Sequence, residues 1–427
     1  MLDRKIPPLA VDVDKVVVSE PSIHFLKNNI EVGCFNIGTQ DVVHVEFIFQ
    51  TGLSNHQNSV VPRAISELIG VCSKNDKSGK IIEKIDYYGA YLETSVNMDI
   101  TTVSIYSLSE HVYKVLEILK DAFFQIVFNE KDLKVFLSNS AQKLKNDLER
   151  VEFHCLREFN RAIFGNHIYG KMVELSDFNG IRPDHLDNHY TSFFGSNSLS
   201  IVVSGKFNEN EIIQNLNLFF GGWKRSYTTQ AVPKLNSSIP MTKYFHKEEA
   251  IQSAVRIGKI LNIEYGSETY FTLKVVNTVL GGYFGSRLMS NLREDKGITY
   301  GVNSSFINYD CTSFFVIAST VKAEATDLAI KEIKMELDRL CSEPIDDKEL
   351  NTVKNYMMGS LMRALDGPFL IAEQYKQLHL RGRKMNHIDD FFKAIQQVSV
   401  SDILSVSKQF LNSSTFTQVV VGNKSNK

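Results

Sequence analysis

Residues 281–300 read GGYFGSRLMSNLREDKGITY. The glycine pair Gly281-Gly282 lets the backbone turn, or come unusually close to another stretch of chain. Ser286-Arg287-Leu288 follow, then Leu292-Arg293-Glu294, with Tyr300 seven residues beyond Arg293. Arg293 is a planar fork of donors suited to carboxylates and peptide carbonyls. Tyr300 places a phenol at the head of a strand expected over Thr299–Phe306. On these residues alone two readings stand. One is a turn, a short helix with a salt-bridged arginine, and a strand. The other is a polar pair kept for binding.

The spacing as a whole resembles the C-terminal signature of the pitrilysin/insulinase family, the inverted-motif zinc peptidases, which include the mitochondrial processing peptidase type. Gly282, Ser286, Arg287, Leu288, Leu292, Arg293, Glu294, Gly297 and Tyr300 all match it. The resemblance implies that Arg293 and Tyr300 bind substrate, facing a zinc site carried by the opposite half or subunit. It also implies that the zinc site lies in the N-terminal half, as H-x-x-E-H on a helix. There two His would hold the metal and the Glu would activate a water.

The corresponding stretch here is Val61-Pro62-Arg63-Ala64-Ile65-Ser66-Glu67-Leu68-Ile69. Ala64 and Leu68 occupy the two ligand positions, and Glu67 the base position. The family's third ligand, a Glu further along the chain, would fall in the window Lys143–Lys145. Alanine and leucine have no donor atoms, and lysine is no carboxylate. The sequence therefore predicts no zinc in this chain, with Glu67 a helix-surface or capping carboxylate. Two other pairs have helical spacing. His185 and His189, four apart, have the spacing of two metal ligands on one helical face, though no Cys or third His lies nearby in sequence; the resemblance implies an ordinary surface helix there, and His154 and Glu158 are read as a surface pair.

The chain has 427 residues, 43% hydrophobic and 22% charged, enough for two or more substantial cores. Its formal net charge of −2, with Lys and Arg scattered, gives no field that would favour nucleic acid or an anionic membrane. Cys34, Cys72, Cys155, Cys311 and Cys341 are odd in number and far apart, as expected of reduced thiols. The start, MLDRKIPPLA, lacks an apolar run of signal-peptide length, and no apolar window of membrane-spanning length occurs. The cytoplasm is the expected compartment.

The chain also reads as a duplication. A strand over Thr101–Leu108, a helix over Val112–Phe124 and a long helix opening at 129–133 recur in the second half. Their counterparts there are Ser313–Ser319, Ala323–Leu340 and a helix opening at 344–350. Lys131 and Lys348 are equivalent points, 348 − 131 = 217 residues apart. Helix, turn and apolar strand end each half, over Leu186–Ser204 and Ile403–Val421. The expected fold class is α+β: two homologous α/β sandwiches, each a mainly antiparallel sheet packed by helices. Residues 1–223 form the N-terminal unit, 224–244 a Ser/Thr/Pro/Lys-rich linker, and 245–427 the C-terminal unit carrying Arg293 and Tyr300. Alternation in His44–Phe49 and Ala254–Gly258 suggests sheets with one face on helices and the other on a cavity or water.

The resemblance further implies that the sandwiches close as a clam shell, and that an extended peptide adds to an edge strand. The matching edge is Tyr91–Val96, with Leu92, Glu93 and Thr94 as contact residues. The other reading is a strand paired inside the sheet. Two function classes follow. The first is a non-catalytic subunit of a two-chain zinc metallopeptidase, giving Arg293 and Tyr300 to a zinc-bearing relative; zinc is then expected only in that partner, and a homodimer is possible. The second is a structural or peptide-holding protein, like the core subunits of the respiratory bc1 complex.

Overall fold

A computed structural model of the chain describes residues 16–71, 73–74, 79–224, 235 and 239–423. Cys72 and most of the expected linker lie outside the described residues. The first half runs β1 (Ser22–Phe25), β2 (Glu31–Phe35), β3 (Val42–Phe49), α1 (Val60–Leu68), α2 (Lys80–Tyr87), β4 (Tyr91–Val96), β5 (Thr101–Leu108), α3 (Val112–Phe124), α4 (Glu130–Leu148), α5 (Val151–Phe164), α6 (Pro183–Phe193), β6 (Leu199–Gly205) and α7 (Glu209–Phe220). The second half runs β7 (Thr242–His246), β8 (Gln252–Ile260), α8 (Glu268–Asn277), β9 (Thr299–Tyr309), β10 (Thr312–Lys322), α9 (Thr326–Ser342), α10 (Asp347–Ala364), α11 (Pro368–His379), α12 (His387–Gln397), α13 (Val400–Phe410) and β11 (Thr417–Gly422).

The duplication is visible in the strand orders. The first sheet is β1-β2-β6-β3-β5-β4 and the second β7-β11-β8-β10-β9. Without β1, the two orders are the same. The pairs β2/β6 and β7/β11 are parallel and the rest antiparallel. Local chemistry repeats too. Asn129 caps α4 by accepting from the Asp132 amide, and Asp346 caps α10 by accepting from the Lys348 amide. On α3, Val112, Val115, Leu116, Leu119 and Phe123 form the buried stripe that packs the helix into the first core.

Each sandwich is completed by a helix from the other half. Val151, Cys155 and Phe159 of α5 share one apolar core with Ala254, Phe314, Val316, Val419 and Val421 of the second sheet. The Cys155 thiol donates to the Val419 carbonyl at 3.4 Å. Reciprocally, α11 lies on the first sheet. The Tyr375 ring meets Phe35 edge-on at 5.5 Å, its hydroxyl donates to Glu31 at 3.0 Å, and Lys376 Nζ reaches Glu46 Oε1 at 2.9 Å.

This exchange corrects the expectation of one open face per sheet. His44 and Glu46 are polar members of the alternation in β3, yet only 8% and 5% of their surfaces are exposed. Polar residues point to this face because a helix carrying a cation covers it, not because water does. Lys376 offsets the charge of Glu46, and His44 stacks on Tyr106 at 4.2 Å. The two homologous sandwiches, arranged as a clam shell, are interlocked by α5 and α11.

Candidate functional site

In the second half, the 281–300 stretch begins at the end of one π-type turn, Thr278–Gly282, and contains a second, Met289–Asp295, which leads into β9. Gly281 is required by close approach: a Cβ there would lie 2.7 Å from the Ser304 amide nitrogen on β9. Gly297 has φ +59, the left-handed region glycine favours. Ser286, Leu288 and Leu292 are buried. Arg287 grips Glu349 with two bonds of 2.8 and 2.7 Å, and Asn291 donates to Glu332 and Glu336. These residues hold the turns in place.

Arg293 and Tyr300 do not. Arg293 has no hydrogen bond or ion pair among the described residues; its guanidinium lies over the Phe284 ring at 4.7 Å. Tyr300 is 91% exposed and Phe284 60% exposed. A free donor fork on the second turn and a free phenol at the head of β9 therefore stand at the surface. The salt-bridged arginine of this stretch is Arg287, paired with Glu349, not Arg293.

In the first half, α1 carries the degenerate zinc positions. Ala64 and Leu68 are one helical turn apart on its buried face, within the core that includes Ile65 and Ile69. Arg63 and Glu67 share the exposed face, also one turn apart. Zinc does not fit these residues: the two ligand positions are apolar core, and the third-ligand window on α4 offers Lys143, Leu144 and Lys145. Among the described residues, no three His, Cys, Asp or Glu side chains converge in a way that could hold a metal.

A cleft of about 550 Å³ opens beside α1. Its walls include Arg63, Ser66 and Glu67 of α1, Thr94, Ser95 and Val96 of β4, Lys143, Leu144 and Asp147 of α4, and Phe153 and Arg157 of α5. Among the described residues, β4 is the outer strand of its sheet, hydrogen-bonded only to β5. Leu92 turns inward onto the core, Glu93 is exposed, and Thr94 faces the cleft. Arg63 is exposed as a whole residue, but crowding around its guanidinium lowers its pKa from the ordinary arginine value. Burial likewise lowers Arg157, which donates to Glu174 at 2.9 Å.

The other histidines take different roles. His185 and His189 were expected on a surface helix, but His189 is only 3% exposed. Its ring lies 5.3 Å from that of His56 and 4.6 Å from Phe193, and burial pushes its pKa down to about 3, so it is neutral. An amphipathic helix that packs on α1 has an inner face, and His189 is on it. His154 is half-buried against the Phe245 ring at 5.6 Å, while Glu158 accepts from Arg161 at 2.6 Å.

Thus Glu67, Lys143 and Thr94 come together in one cleft, whereas Arg293 and Tyr300 do not line it. Two residues of the site surface were not singled out from sequence. Phe284 sits inside the 281–300 motif, and Arg63 immediately precedes the first degenerate ligand position. Both were legible as large side chains next to motif positions.

The model of the "Peptidase M16 inactive domain" matches residues 180–357. The chain is 26% identical to the "Uncharacterized zinc protease YmxG" of Bacillus subtilis, over 77% of this chain and 80% of that one. It is 19% identical to the "Mitochondrial-processing peptidase subunit beta" of Saccharomyces cerevisiae, over 87% of this chain and 84% of that one. The crystal structure of a peptidase M16 inactive domain from Pseudomonas fluorescens superposes with a TM-score of 0.87 at 17% identity, covering 95% of this chain and 99% of that one. With the interlocked sandwiches, the 281–300 motif and the apolar residues at the metal positions, these likenesses make the chain similar to the pitrilysin/insulinase (M16) peptidases, with residues 180–357 matching their inactive domain and no zinc motif at the metal positions.

Proposed function

We propose that this chain is the non-catalytic subunit of a two-chain zinc metallopeptidase. It pairs with a zinc-bearing relative of the same family and gives Arg293 and Tyr300 to a shared chamber. The observation that carries this reading is the division within the 281–300 motif. Ser286, Arg287, Leu288 and Leu292 are used by the fold, while Arg293 and Tyr300 are free at the surface. A fold that needs neither side chain leaves both for a ligand or a partner. Their separation from the cleft in one chain fits a site completed across two chains. That a relative is named as a subunit is consistent with such an assembly.

In this role Arg293 and Tyr300 donate hydrogen bonds to a carbonyl of the bound peptide, and the partner performs the cleavage. The peptide lies extended along β4, with main-chain groups of the edge strand pairing to it near Leu92, Glu93 and Thr94. Residues 1–223 and 245–427 act as the two units, joined through 224–244, whose last three residues already belong to β7 (Thr242–His246) of the second sheet. The chain works in the cytoplasm and also forms a homodimer when its relative is absent. Among the described residues no helix is long and apolar enough to cross a membrane.

Reconstitution tests the reading. The chain is mixed with a zinc-bearing relative from the same cell, and cleavage of a peptide library is followed by mass spectrometry. Cleavage that requires both chains is the expected result. The peptide-holding alternative predicts binding without cleavage by the pair.

A further inference from the structure

The cleft beside α1, next to the apolar residues at the metal positions, carries positive side chains. Arg63 and Lys143, from α1 and α4, both line it, and neither has an ion pair or hydrogen bond among the described residues. The other charged groups on the walls leave this excess standing. Arg157 is matched by Glu174, Lys171 donates to the Gln57 carbonyl, and Asp147 stands 3.7 Å from Arg150. Glu67 is the one remaining carboxylate, and it is not within ion-pair distance of Arg63 although it stands one helical turn away. Crowding of an unmatched guanidinium favours binding a counter-charge, because a partly desolvated donor fork gains most from a carboxylate.

The same cleft includes one end of an open strand edge. Thr94, Ser95 and Val96 of β4 line it, while Tyr91–Glu93 continue the edge outside. A segment paired to β4 therefore enters as a continuing strand, and every second side chain of that segment turns to the α1 side. From the unmatched cations and the open edge together, we infer that the cleft at the lost zinc position is a specificity pocket for an acidic side chain, Asp or Glu, on an extended peptide held along β4. This rests on the peptide-holding part of the function proposed above and adds to it a preference that the zinc motif itself would not give.

The test uses the full chain and four fluorescein-labelled peptides of one Thr/Val-rich sequence, read by fluorescence anisotropy. One has a central Glu and an amidated C-terminus, and one a central Gln and an amidated C-terminus. The third has the central Gln with a free C-terminal carboxylate. The fourth is the central-Glu peptide with a proline replacing each neighbour of the Glu, which blocks strand pairing. The central-Glu peptide is expected to bind on the order of tenfold more tightly than its Gln counterpart, as a charge-assisted hydrogen bond supplies. Added salt should erode that ratio, and the proline peptide should bind poorly. Arg63→Gln and Lys143→Gln should each reduce the Glu/Gln ratio, and Arg63→Lys should retain part of it. Both positions are exposed, so an unchanged melting temperature separates lost recognition from lost folding. Equal binding of the Glu and Gln peptides overturns the pocket and leaves strand addition standing. Preference for the free C-terminus alone overturns the side-chain assignment. Failure of every peptide to bind overturns both the pocket and the peptide-holding reading.

Discussion

At the residue scale, charge placement separates structural groups from free ones. Lys376 and Glu46 are a buried pair, with side chains 10% and 7% exposed. Burial pushes the Glu46 carboxyl up and Lys376 draws it back; the carboxylates of Glu46 and Glu373 in turn outweigh burial at Lys376 and hold its ammonium above the usual value. Lys376→Met should destabilise the chain by about 3–5 kcal/mol, since it leaves Glu46 buried without a counter-charge. The double change with Glu46→Gln should recover most of that loss. Chemical denaturation of the parent, the single variant and the double variant checks both the loss and its recovery. A second residue-scale expectation concerns Asp310, whose amide donates to Asp99 Oδ2 at 3.3 Å, close to the Tyr169 hydroxyl. Burial first, then the charge of Asp99, raise its pKa from 3.8 to about 6, with Arg381 opposing. The folded state therefore holds this proton more tightly than the unfolded chain. Its stabilising contribution is complete below the unfolded value and is lost as pH rises through about 6. Asp310→Asn should melt higher than the parent above pH 6, and that advantage should vanish below pH 4. Thermal melts across this range would contradict the assignment if the gap were constant.

At the element scale, local chemistry was legible and long-range packing was not. The helix over Val112–Phe124 and the strand over Thr101–Leu108 lie where the apolar spacing puts them, because periodicity is a local property. The expected strand over Thr299–Phe306 continues to Tyr309, and the expected helix over Ala323–Leu340 opens with a 3₁₀ turn before α9. The covering of His44 and Glu46 could not be read in this way. Nothing within β3 tells which helix will lie on it, and α11 comes from the other half of the chain. The apolar stripe of α5 likewise does not name the second sheet as its partner. This exchange has a consequence: residues 1–223 alone would expose the α5 stripe and leave Glu46 uncovered. Val151, Cys155, Phe159 and Phe164 would then face water, at roughly 1.5–3 kcal/mol for each large apolar side chain. Each half expressed alone should be aggregated or without fixed tertiary structure, and the two halves expressed together should form a soluble pair. A well-dispersed amide spectrum from either half alone would show that the exchange is dispensable.

At the scale of the whole molecule, the 281–300 motif made the family legible before any coordinates, and the apolar residues at the metal positions made the departure from it legible as well. What the motif could not tell was which of its residues the fold consumes: Arg287 pairs with Glu349, a residue 62 positions away. The purified chain should contain far less than one zinc per molecule and cleave no peptide, because Ala64 and Leu68 provide no ligand. Elemental analysis finding one zinc, with cleavage lost on chelation, would contradict this. The central claim is that Arg293 and Tyr300 serve a site completed by another chain. Its most direct test is the peptide-cleavage rate of this chain reconstituted with a zinc-bearing relative, measured for the parent, Arg293→Ala and Tyr300→Phe. Loss of one such donor is expected to lower the rate on the order of a hundred-fold, with melting temperature and association unchanged. Undiminished cleavage by both variants, or a loss of stability of several kcal/mol in place of a loss of rate, would contradict the account.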